Sequence, residues 1–495
     1  MAFKLTKSQF DAIYDRSDSI LISAGAGSGK TSVLAQRVAA LAAEGADVSR
    51  MLICTFTSPA AAEMRSRISA QLFSLADERN DRRLAAQAET AQFSDICTIH
   101  RFAIKLIKEQ AVPLGLPSDI RVLGERTELI RLSALDDAME ELYEKDDPDL
   151  LFLRERFSGR DDEALRNMFL TVYNALRSKE EGLDWLRSPK KSDLDVLLSR
   201  QIRSLLLRAQ NTLKVCRELS EKNMILDQLP RDDDDLNYIE LLLRADVREL
   251  QSVAASGKVQ SISRKKFPSD ELKKSIQDRK KDARALIKSA AALSVSDISG
   301  ELTYTGRTTD ALRSVLKAFD THYAKAKREK SAVDFDDILY IASDALSRPE
   351  IASQYADRYE HVFIDEYQDT NPLQESLLGK IGASNAFMVG DVKQAIYRFR
   401  LAAPEIFLEK SRRGAGKVIH MNENFRSNAG VIAAVNHVMS CIMSMELGEM
   451  EYTDEQHLRA RGDFSGGAEL LLTQPNGEES AAAEAKTIAA RILEL

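Results

Sequence analysis

The stretch LISAGAGSGKTSVL, residues 21–34, joins the end of an apolar, β-rich run to a glycine-rich turn, a lysine and the start of a helical pattern. It fits the phosphate-loop pattern of Gly, four residues and Gly-Lys-Ser/Thr, except that Ala24 stands at the first glycine position. An alanine removes little there, provided that the position does not need a positive φ. We predict a nucleotide site; the alternative is a glycine-rich turn that contains a lysine by chance.

Each residue type in this loop has an expected task. Backbone N–H groups and a helix N-terminus attract a phosphate anion, and glycines supply the turn that directs them. Lys30 would reach the outer phosphates, and Thr31 would hold Mg²⁺. The predicted ATP-binding residues of the loop are Ala24, Gly25, Ala26, Gly27, Ser28, Gly29, Lys30 and Thr31.

A second signal, VFIDEYQDT at residues 362–370, ends an apolar run in two carboxylates. A carboxylate at a strand end can hold Mg²⁺, directly or through water, and Asp365 is the predicted ligand. Glu366 would orient and deprotonate the attacking water. Acidic residues often follow strands, so this pair indicates a catalytic site only in combination with the phosphate loop.

Composition limits the class of protein. The 495 residues suggest roughly three domains, and 44% hydrophobic with 29% charged residues is typical of a globular protein. The N-terminus carries no signal-peptide pattern, and no apolar run approaches the roughly 20 residues that cross a bilayer. Four widely spaced cysteines predict neither disulfides nor a metal cluster, which favours the cytoplasm. The net charge of −8 still permits a locally basic groove for nucleic acid.

Strand-like apolar runs lie on both sides of a long helical stretch. The runs are SILISA (19–24), MLICTF (51–56), SDICTI (94–99), HVFID (361–365), AFMVGD (386–391) and KVIHM (417–421). Alternating strands and helices predict an α/β fold with a parallel sheet, and the helical stretch predicts a large all-helical insertion. The predicted domains are an α/β lobe at 1–110 and 330–415, a helical insertion at 111–329, and the start of a second lobe at 416–495.

Two charge blocks lie inside the helical stretch. RDDDDLNYIE (231–240) is acidic, and residues 263–290 carry ten lysines and arginines that include Lys280. Such runs are compatible with a solvated helix face and equally with contacts to a DNA backbone. Both interpretations stay open from the sequence.

Further motifs carry a resemblance to a known family. They are LTKSQFDAI (5–13), CTFTSPAAAEMRSRI (54–68), TIHRFAIKLI (98–107), AVDFDDILYIA (332–342), FMVGDVKQAIYRFRLAAPEIF (387–407) and NENFRS (422–427). In this order they resemble the superfamily I DNA helicases of the UvrD/RecB kind, and most closely the AddA-type subunits of bacterial helicase–nucleases. That family has alanine at the position of Ala24. The resemblance implies a RecA-like first lobe, and it implies that residues 416–495 begin a second RecA-like lobe.

The resemblance also implies roles in ATP hydrolysis. Gln9 would read the adenine edge, and Gln394 would sense the γ-phosphate and couple hydrolysis to motion. Arg426 is similar to an arginine finger that enters from the second lobe and stabilises charge on the transferred phosphoryl group. Lys30, Glu366, Gln394 and Arg426 are therefore the expected catalytic residues.

A separate set is implied for DNA. Tyr397 and Phe399 would stack on single-stranded bases, a mode that suits any sequence. Arg400 would contact DNA or brace its motif, and Phe56 and His100 would line the same track. For the two motif aromatics, packing in the core is the alternative.

The function implied by the resemblance is an ATP- and Mg²⁺-dependent 3′–5′ DNA helicase or translocase that acts in double-strand break repair and recombination. Its partners would be single-stranded and duplex-end DNA and a second, AddB-like subunit, without a membrane. Alternatives are a RecB-like or UvrD-like repair helicase, and a DNA-binding subunit that is catalytically degenerate. In contrast, a phosphate-loop enzyme for small molecules would not need the DNA-facing aromatics.

The chain departs from the family pattern in two ways. Arg101 stands where the family usually has a small residue, which adds a cation beside His100. Motifs V and VI, the second arginine finger and the nuclease domain are absent from these 495 residues. We therefore expect an N-terminal portion of a longer protein, or else a degenerate relative. As written, the chain is expected to bind Mg-ATP weakly, to aggregate and not to unwind duplex DNA.

Overall fold

The chain divides into two units, as a computed structural model shows. Unit 1 comprises Met1–Ile130, Asn174–Gly182 and Ala326–Leu495, and unit 2 comprises Arg131–Tyr173 and Leu183–Lys325. The structure describes residues 5–117, 120–158, 161–179, 182–187, 194–247, 249–263, 265, 267–293, 298–382, 385–414, 416–443, 450, 452–461, 467–473 and 480–494.

Six of the strands form one sheet in unit 1. In chain order the strands are β1 (Ser19–Ala24), β2 (Met51–Thr55), β3 (Ile96–Thr98), β4 (Arg121–Val122), β5 (Ala332–Val333), β6 (His361–Ile364), β7 (Asn385–Gly390), β8 (Lys417–Met421), β9 (Glu423–Asn424) and β10 (Arg459–Ala460). The sheet has the order β3-β2-β6-β7-β1-β8 and all its pairings are parallel. The predicted α/β class with a parallel sheet is confirmed.

Helices connect these strands and build unit 2. They are α1 (Lys7–Tyr14), α2 (Lys30–Glu44), α3 (Ser58–Arg79), α4 (Arg82–Thr90), α5 (Ile99–Glu109), α6 (Ala111–Leu114), α7 (Thr127–Glu144), α8 (Pro148–Phe157), α9 (Glu163–Arg177), α10 (Asp184–Arg187), α11 (Leu194–Lys222), α12 (Leu229–Arg244), α13 (Leu250–Ser256), α14 (Asp270–Leu293), α15 (Ile298–Glu329), α16 (Phe335–Leu346), α17 (Pro349–Arg358), α18 (Pro372–Gly379), α19 (Pro404–Arg413), α20 (Ala429–Ile442) and α21 (Ser480–Glu494). No helix in the described part of the chain is long and apolar enough to cross a bilayer.

The sheet is apolar on both faces because helices cover both. Side chains alternate along a strand, so Ile20 and Ile22 of β1 point into one core and Leu21 points into the other. The first core receives α2 and α3, for example through Leu34. The second receives α5 and α16, for example through Phe102. Two covered faces explain why the strand sequences are continuous apolar runs.

The last strand of the sheet lies beyond the predicted lobe boundary at 415/416. β8 pairs in parallel with β1 over Ile20↔Lys417 to Ala24↔Met421. The sheet that carries the phosphate loop therefore extends to Met421. The local pattern shows that residues 417–421 form a strand, but the choice of a partner almost 400 positions away is decided only by packing.

A short stretch of the helical region folds with unit 1. Arg177, at the end of α9, is 3% exposed, and its guanidinium lies 2.6 Å from Asp334 and 2.9 Å from Asp337. Asp334 caps the N-terminus of α16 in a capping box with Asp337. This buried ion pair fixes the start of α16, the helix that follows β5.

In unit 2 the acidic and basic blocks of the sequence meet. Lys280 of α14 is fully buried, and its ammonium lies 2.6 Å from both Asp232 and Asp235 of α12. Ser220 and Gln228 donate the remaining hydrogen bonds to Asp232, at 2.6 and 2.7 Å. Lys280 is therefore a core residue of the helical unit and is not available to DNA.

Replacing Lys280 with Ala is expected to destabilise the helical unit by about 3–5 kcal/mol at neutral pH, because two buried carboxylates lose their cation. The loss should shrink at lower pH, since burial raises the pKa of Asp235 and protonation then removes the unpaired charge. Urea unfolding followed by circular dichroism measures it. The matched control is Lys281→Ala, because Lys281 is the next residue and is exposed. Equal effects of the two variants would contradict the assignment.

The four cysteines are free thiols. Cys54 and Cys97 lie on β2 and β3 and are register partners. Burial raises the pKa of the Cys97 thiol to about 11, so this side chain behaves as a small apolar residue.

Candidate nucleotide and DNA site

The predicted site residues follow strands whose carboxyl ends meet at one edge of the sheet. The phosphate loop follows β1, Asp365 follows β6, and Gln394 comes after β7. The order β6-β7-β1 places these three strand ends side by side. Phe56 and His100 follow β2 and β3 on the same edge, which is where ligands bind in open α/β sheets.

The loop adopts the backbone that glycine permits. Gly27 and Gly29 have φ of 70° and 84°, and Gly29 directly precedes α2. Ala24 is fully buried at the end of β1 and is not among the residues with positive φ. An alanine therefore costs nothing at the position where the common pattern has glycine. A side chain at Gly25 would overlap Leu458 Cδ2.

The segment after β8 lies directly against this loop. Phe425 N–H donates to Gly27 O at 2.9 Å, and the buried Asn424 donates through Nδ2 to Ala26 O at 2.7 Å. Asn424 Oδ1 accepts from the Arg426 N–H at 2.9 Å. A Cβ on Gly27 would lie 2.9 Å from Arg426 Cβ, so the exposed Arg426 side chain starts beside the phosphate loop.

A closed hydrogen-bond ring joins the loop to the strands beside it. Lys30 Nζ donates to Glu366 Oε2 at 2.9 Å and to Gln394 Oε1 at 3.3 Å. Gln368 donates to Glu366 Oε2 at 2.9 Å and accepts from the Asp391 N–H at 2.9 Å. Gln394 Nε2 closes the ring by donating to Asp391 Oδ2 at 2.8 Å. Lys30, Glu366 and Gln394 are thus brought together.

The carboxylates after β6 are electrostatically strained. Burial, reinforced by the neighbouring charge of Glu366, raises the pKa of Asp365 to about 6. The same causes raise the pKa of Asp369 to about 6. Glu366 itself has φ 51°, a left-handed backbone that is costly for a residue with a side chain and is found most often at functional sites. Positive charge from a ligand would relieve this cluster.

Thr31 and Asp365 suit a Mg²⁺ ion that also binds phosphate. Both residues line one cavity of about 320 Å³. A hydroxyl and a carboxylate are the hard oxygen ligands that Mg²⁺ prefers, and Mg²⁺ is usually bound by one or two carboxylates together with substrate phosphates. The residues present therefore fit the ion, with Thr31 and Asp365 as its protein ligands.

Gln9 lies at the loop but is already engaged. Its Nε2 donates to Ser28 O at 3.0 Å, and its Oε1 accepts from the Thr6 N–H at 3.0 Å in a capping box of α1. One N–H of the amide is left for an adenine. The structure thus places Gln9 as a brace of the phosphate loop, and contact with the base stays a prediction.

The DNA-facing aromatics form a continuous set. The rings of Phe56 and Tyr397 stack with centroids 4.7 Å apart, and Phe399 lies 5.9 Å from Tyr397 and is 75% exposed. His100 packs edge-on against Phe335 at 5.6 Å. Burial lowers the pKa of His100, so the ring is neutral near pH 7 and does not attract phosphate by charge. The side chain of Arg400 lies outside the described part.

One cavity of about 300 Å³ links these aromatics to the catalytic carboxylates. Phe56, His100 and Tyr397 line it together with Asp365 and Glu366. The nucleotide side and the DNA side of the edge therefore share walls. Any ligand in this cavity lies against both sets of side chains.

Sequence reasoning missed four residues of the site. Gln368 and Asp391 belong to the hydrogen-bond ring, and Asn424 holds the phosphate loop. Asp369 lines both cavities and is 8% exposed. The signal for two of them was present, since Gln368 and Asp369 directly follow the carboxylate pair.

The parallel sheet, the phosphate loop after its first strand and the carboxylates after β6 define the P-loop class of nucleotide-binding proteins. Within this class, the chain belongs to the UvrD/REP helicase N-terminal domain family, which matches residues 5–414. The family resemblance seen in the sequence is confirmed.

Individual relatives point to one subgroup. The chain is 33% identical to the AddA subunit of an ATP-dependent helicase/nuclease from Syntrophomonas wolfei, over 92% of this chain and 39% of that protein. The corresponding protein from Thermoanaerobacter pseudethanolicus is 32% identical over 94% of this chain and 41% of its own length. For Clostridium kluyveri the values are 29%, 100% and 45%. The chain thus spans less than half the length of these relatives.

Proposed function

We propose that this chain provides the ATP-driven motor of a DNA helicase of the AddA type, which moves 3′ to 5′ along single-stranded DNA. It would use ATP with Mg²⁺ in the cytoplasm, in double-strand break repair and recombination, beside a second, AddB-like subunit. Support comes from the similarity to relatives that are named as AddA subunits of an ATP-dependent helicase/nuclease. The predicted first lobe, helical insertion and second lobe belong to the same proposal.

The observation that carries the proposal is the cavity of about 320 Å³ between the nucleotide side and the aromatic side. Thr31, Asp365 and Gln394 line it together with Phe56 and Tyr397. A phosphate site that opens onto stacked aromatics suits an enzyme whose hydrolysis responds to DNA bases. An enzyme for small molecules has no use for the exposed Phe399.

In this mechanism the chain's own residues bind, orient and transfer protons. Mg²⁺ would neutralise developing charge on the phosphates, held by Thr31 and Asp365. Glu366 orients a water and accepts its proton, and Lys30 leaves Glu366 for the outer phosphates. Gln394 is bonded to Lys30 in the ring and lies three residues before Tyr397. Arg426 supports the transferred group from the opposite side.

The proposal is tested by ATP hydrolysis with and without single-stranded DNA, and by unwinding of duplexes that carry a 3′ or a 5′ tail. We expect DNA to stimulate hydrolysis and only 3′-tailed duplexes to be unwound. DNA binding without hydrolysis would favour the degenerate DNA-binding subunit. Hydrolysis that ignores DNA would overturn the motor. Unwinding from a 5′ tail would overturn the direction alone.

Replacing Tyr397 or Phe399 with Ala is expected to weaken single-strand affinity by roughly 1–3 kcal/mol per lost stack, with little sequence dependence. Fluorescence anisotropy with oligothymidylate and a mixed-sequence oligonucleotide measures the loss. Phe73→Ala is the matched control, because Phe73 is a partly exposed phenylalanine of α3 that lines neither cavity. Unchanged affinity would assign the two aromatics to packing.

A further inference from the structure

The exposed edge of β3 carries a groove that the proposed function does not use. We define the β3-edge groove as the cavity of about 570 Å³ beside β3, lined among others by Arg65, Phe93, Arg101, Lys105 and Lys108. It lies in unit 1, next to the strand that leads into His100. The groove combines an exposed ring with several cations.

Phe93 is held out into solvent by a fixed backbone. Its ring is 91% exposed in the loop between α4 and β3. The Phe93 N–H donates to Thr90 O at 3.0 Å, and Ser94 donates to the same oxygen through its N–H at 3.1 Å and its hydroxyl at 2.9 Å. A large apolar ring that is anchored in this way has no internal role, and it offers a free π-face.

The cations of the groove outnumber its acids. Asp95 is bridged by Lys105 at 2.5 Å and Arg358 at 3.3 Å, and Glu109 by Arg358 at 2.8 Å and Lys105 at 3.9 Å. Both acids are thus neutralised. Among the described residues, three further cations of the groove have no acidic partner within ion-pair distance: Arg65, Arg101 and Lys108.

These free cations lie along one continuous line. Arg101 and Lys108 are seven residues apart on α5, which puts them on the same face of the helix. Arg65 approaches from α3 and donates to Ile96 O at 2.5 Å, which occupies a carbonyl on the open edge of β3. A strand-adding peptide therefore finds this edge closed, whereas an anionic chain meets a row of positive charge.

The groove continues the proposed DNA track. His100 lines the cavity with the stacked aromatics, and the next residue, Arg101, lines the groove. From Arg101 the groove follows β3 back to Phe93. The three-residue strand covers about 10 Å, which matches roughly three nucleotides at the spacing of a stacked strand.

We propose that the β3-edge groove is a second single-strand DNA site, in which Phe93 stacks on a base while Arg101 and Lys108 contact phosphates. The site rests on the proposed function, because it receives the strand that leaves the main track. It lengthens the bound segment by about three nucleotides. The departure of Arg101 from the family pattern thereby gains a role.

The test compares a short oligothymidylate of about 6 nucleotides with a longer one of about 16. Phe93→Ala should weaken binding of the longer strand on the order of 10-fold and leave the short strand unchanged. Arg101→Ala should lower the salt slope of longer-strand binding by about 0.7, the value of one phosphate contact on a single strand. Arg79→Ala is the matched control, because Arg79 is exposed on α3 and lines no part of the groove.

Each outcome has a separate meaning. Unchanged binding of the longer strand by Phe93→Ala would overturn the site and leave the groove to an acidic protein partner. Equal weakening for both lengths would also overturn it, because the variant would then act on the main track. Failure of the short strand to stimulate ATP hydrolysis by the unaltered chain would instead count against the proposed function.

Discussion

Glu366→Gln is expected to lower kcat for ATP hydrolysis by about 10²–10⁴-fold, the usual contribution of a general base. ATP should bind at least as tightly as before. The reason lies in the hydrogen-bond ring, where the Glu366 carboxylate holds Lys30 at 2.9 Å. Glutamine keeps the shape but removes the charge that competes with phosphate for the ammonium. Single-turnover hydrolysis and equilibrium binding of a fluorescent ATP analogue measure the two effects.

Glu63→Gln is the matched control for this variant. Glu63 lines the same cavity but pairs with Arg67 on the surface of α3. Its replacement should leave kcat nearly unchanged. If Glu366→Gln kept more than a tenth of the activity, Glu366 would not be the base. If it failed to bind nucleotide, Glu366 would instead hold the site together.

Lys30→Ala should reduce ATP turnover on the order of 10²-fold or more, because the side chain that stabilises charge on the outer phosphates is lost. The fold should survive, since Lys30 contacts Glu366 and Gln394 and no apolar core. ATPase rates with saturating DNA measure the effect, and thermal unfolding provides the check on folding. Retention of more than a tenth of kcat would refute the role.

The double variant Lys30→Ala/Glu366→Gln sharpens this test. Residues that act as one catalytic unit give strongly non-additive losses. The double variant should therefore be about as slow as the slower single variant. Multiplying losses would mean that Lys30 and Glu366 act independently, in disagreement with their direct ion pair.

Local sequence patterns predicted much of the fold and of the candidate site. The phosphate loop and the pair Asp365-Glu366 are contiguous letters at strand ends, so periodicity and spacing suffice to find them. The six apolar runs became the six strands of the sheet. The parallel arrangement then follows from the helical connections between them.

Long-range choices escaped the sequence. The pairing of β8 with β1 depends on which edge of a finished sheet is free, so the sheet runs past the lobe boundary that the local pattern suggested. Lys280 stands in a run of charges that indicates a solvated face, and only the approach of α12 buries it. Asp391 is the first polar residue after an apolar run, yet its part in the ring exists only once Gln394 folds back onto it.

The hydrogen-bond ring has a consequence for timing. Without nucleotide, the charge of Lys30 is spent on Glu366, so arriving fuel must first undo a bond of the ring. Gln394 then loses its partner on the same ammonium, three residues before Tyr397. The grip on DNA is thus informed when ATP arrives and not only when it is cleaved. Loading and firing become two separate messages to the same aromatic side chain.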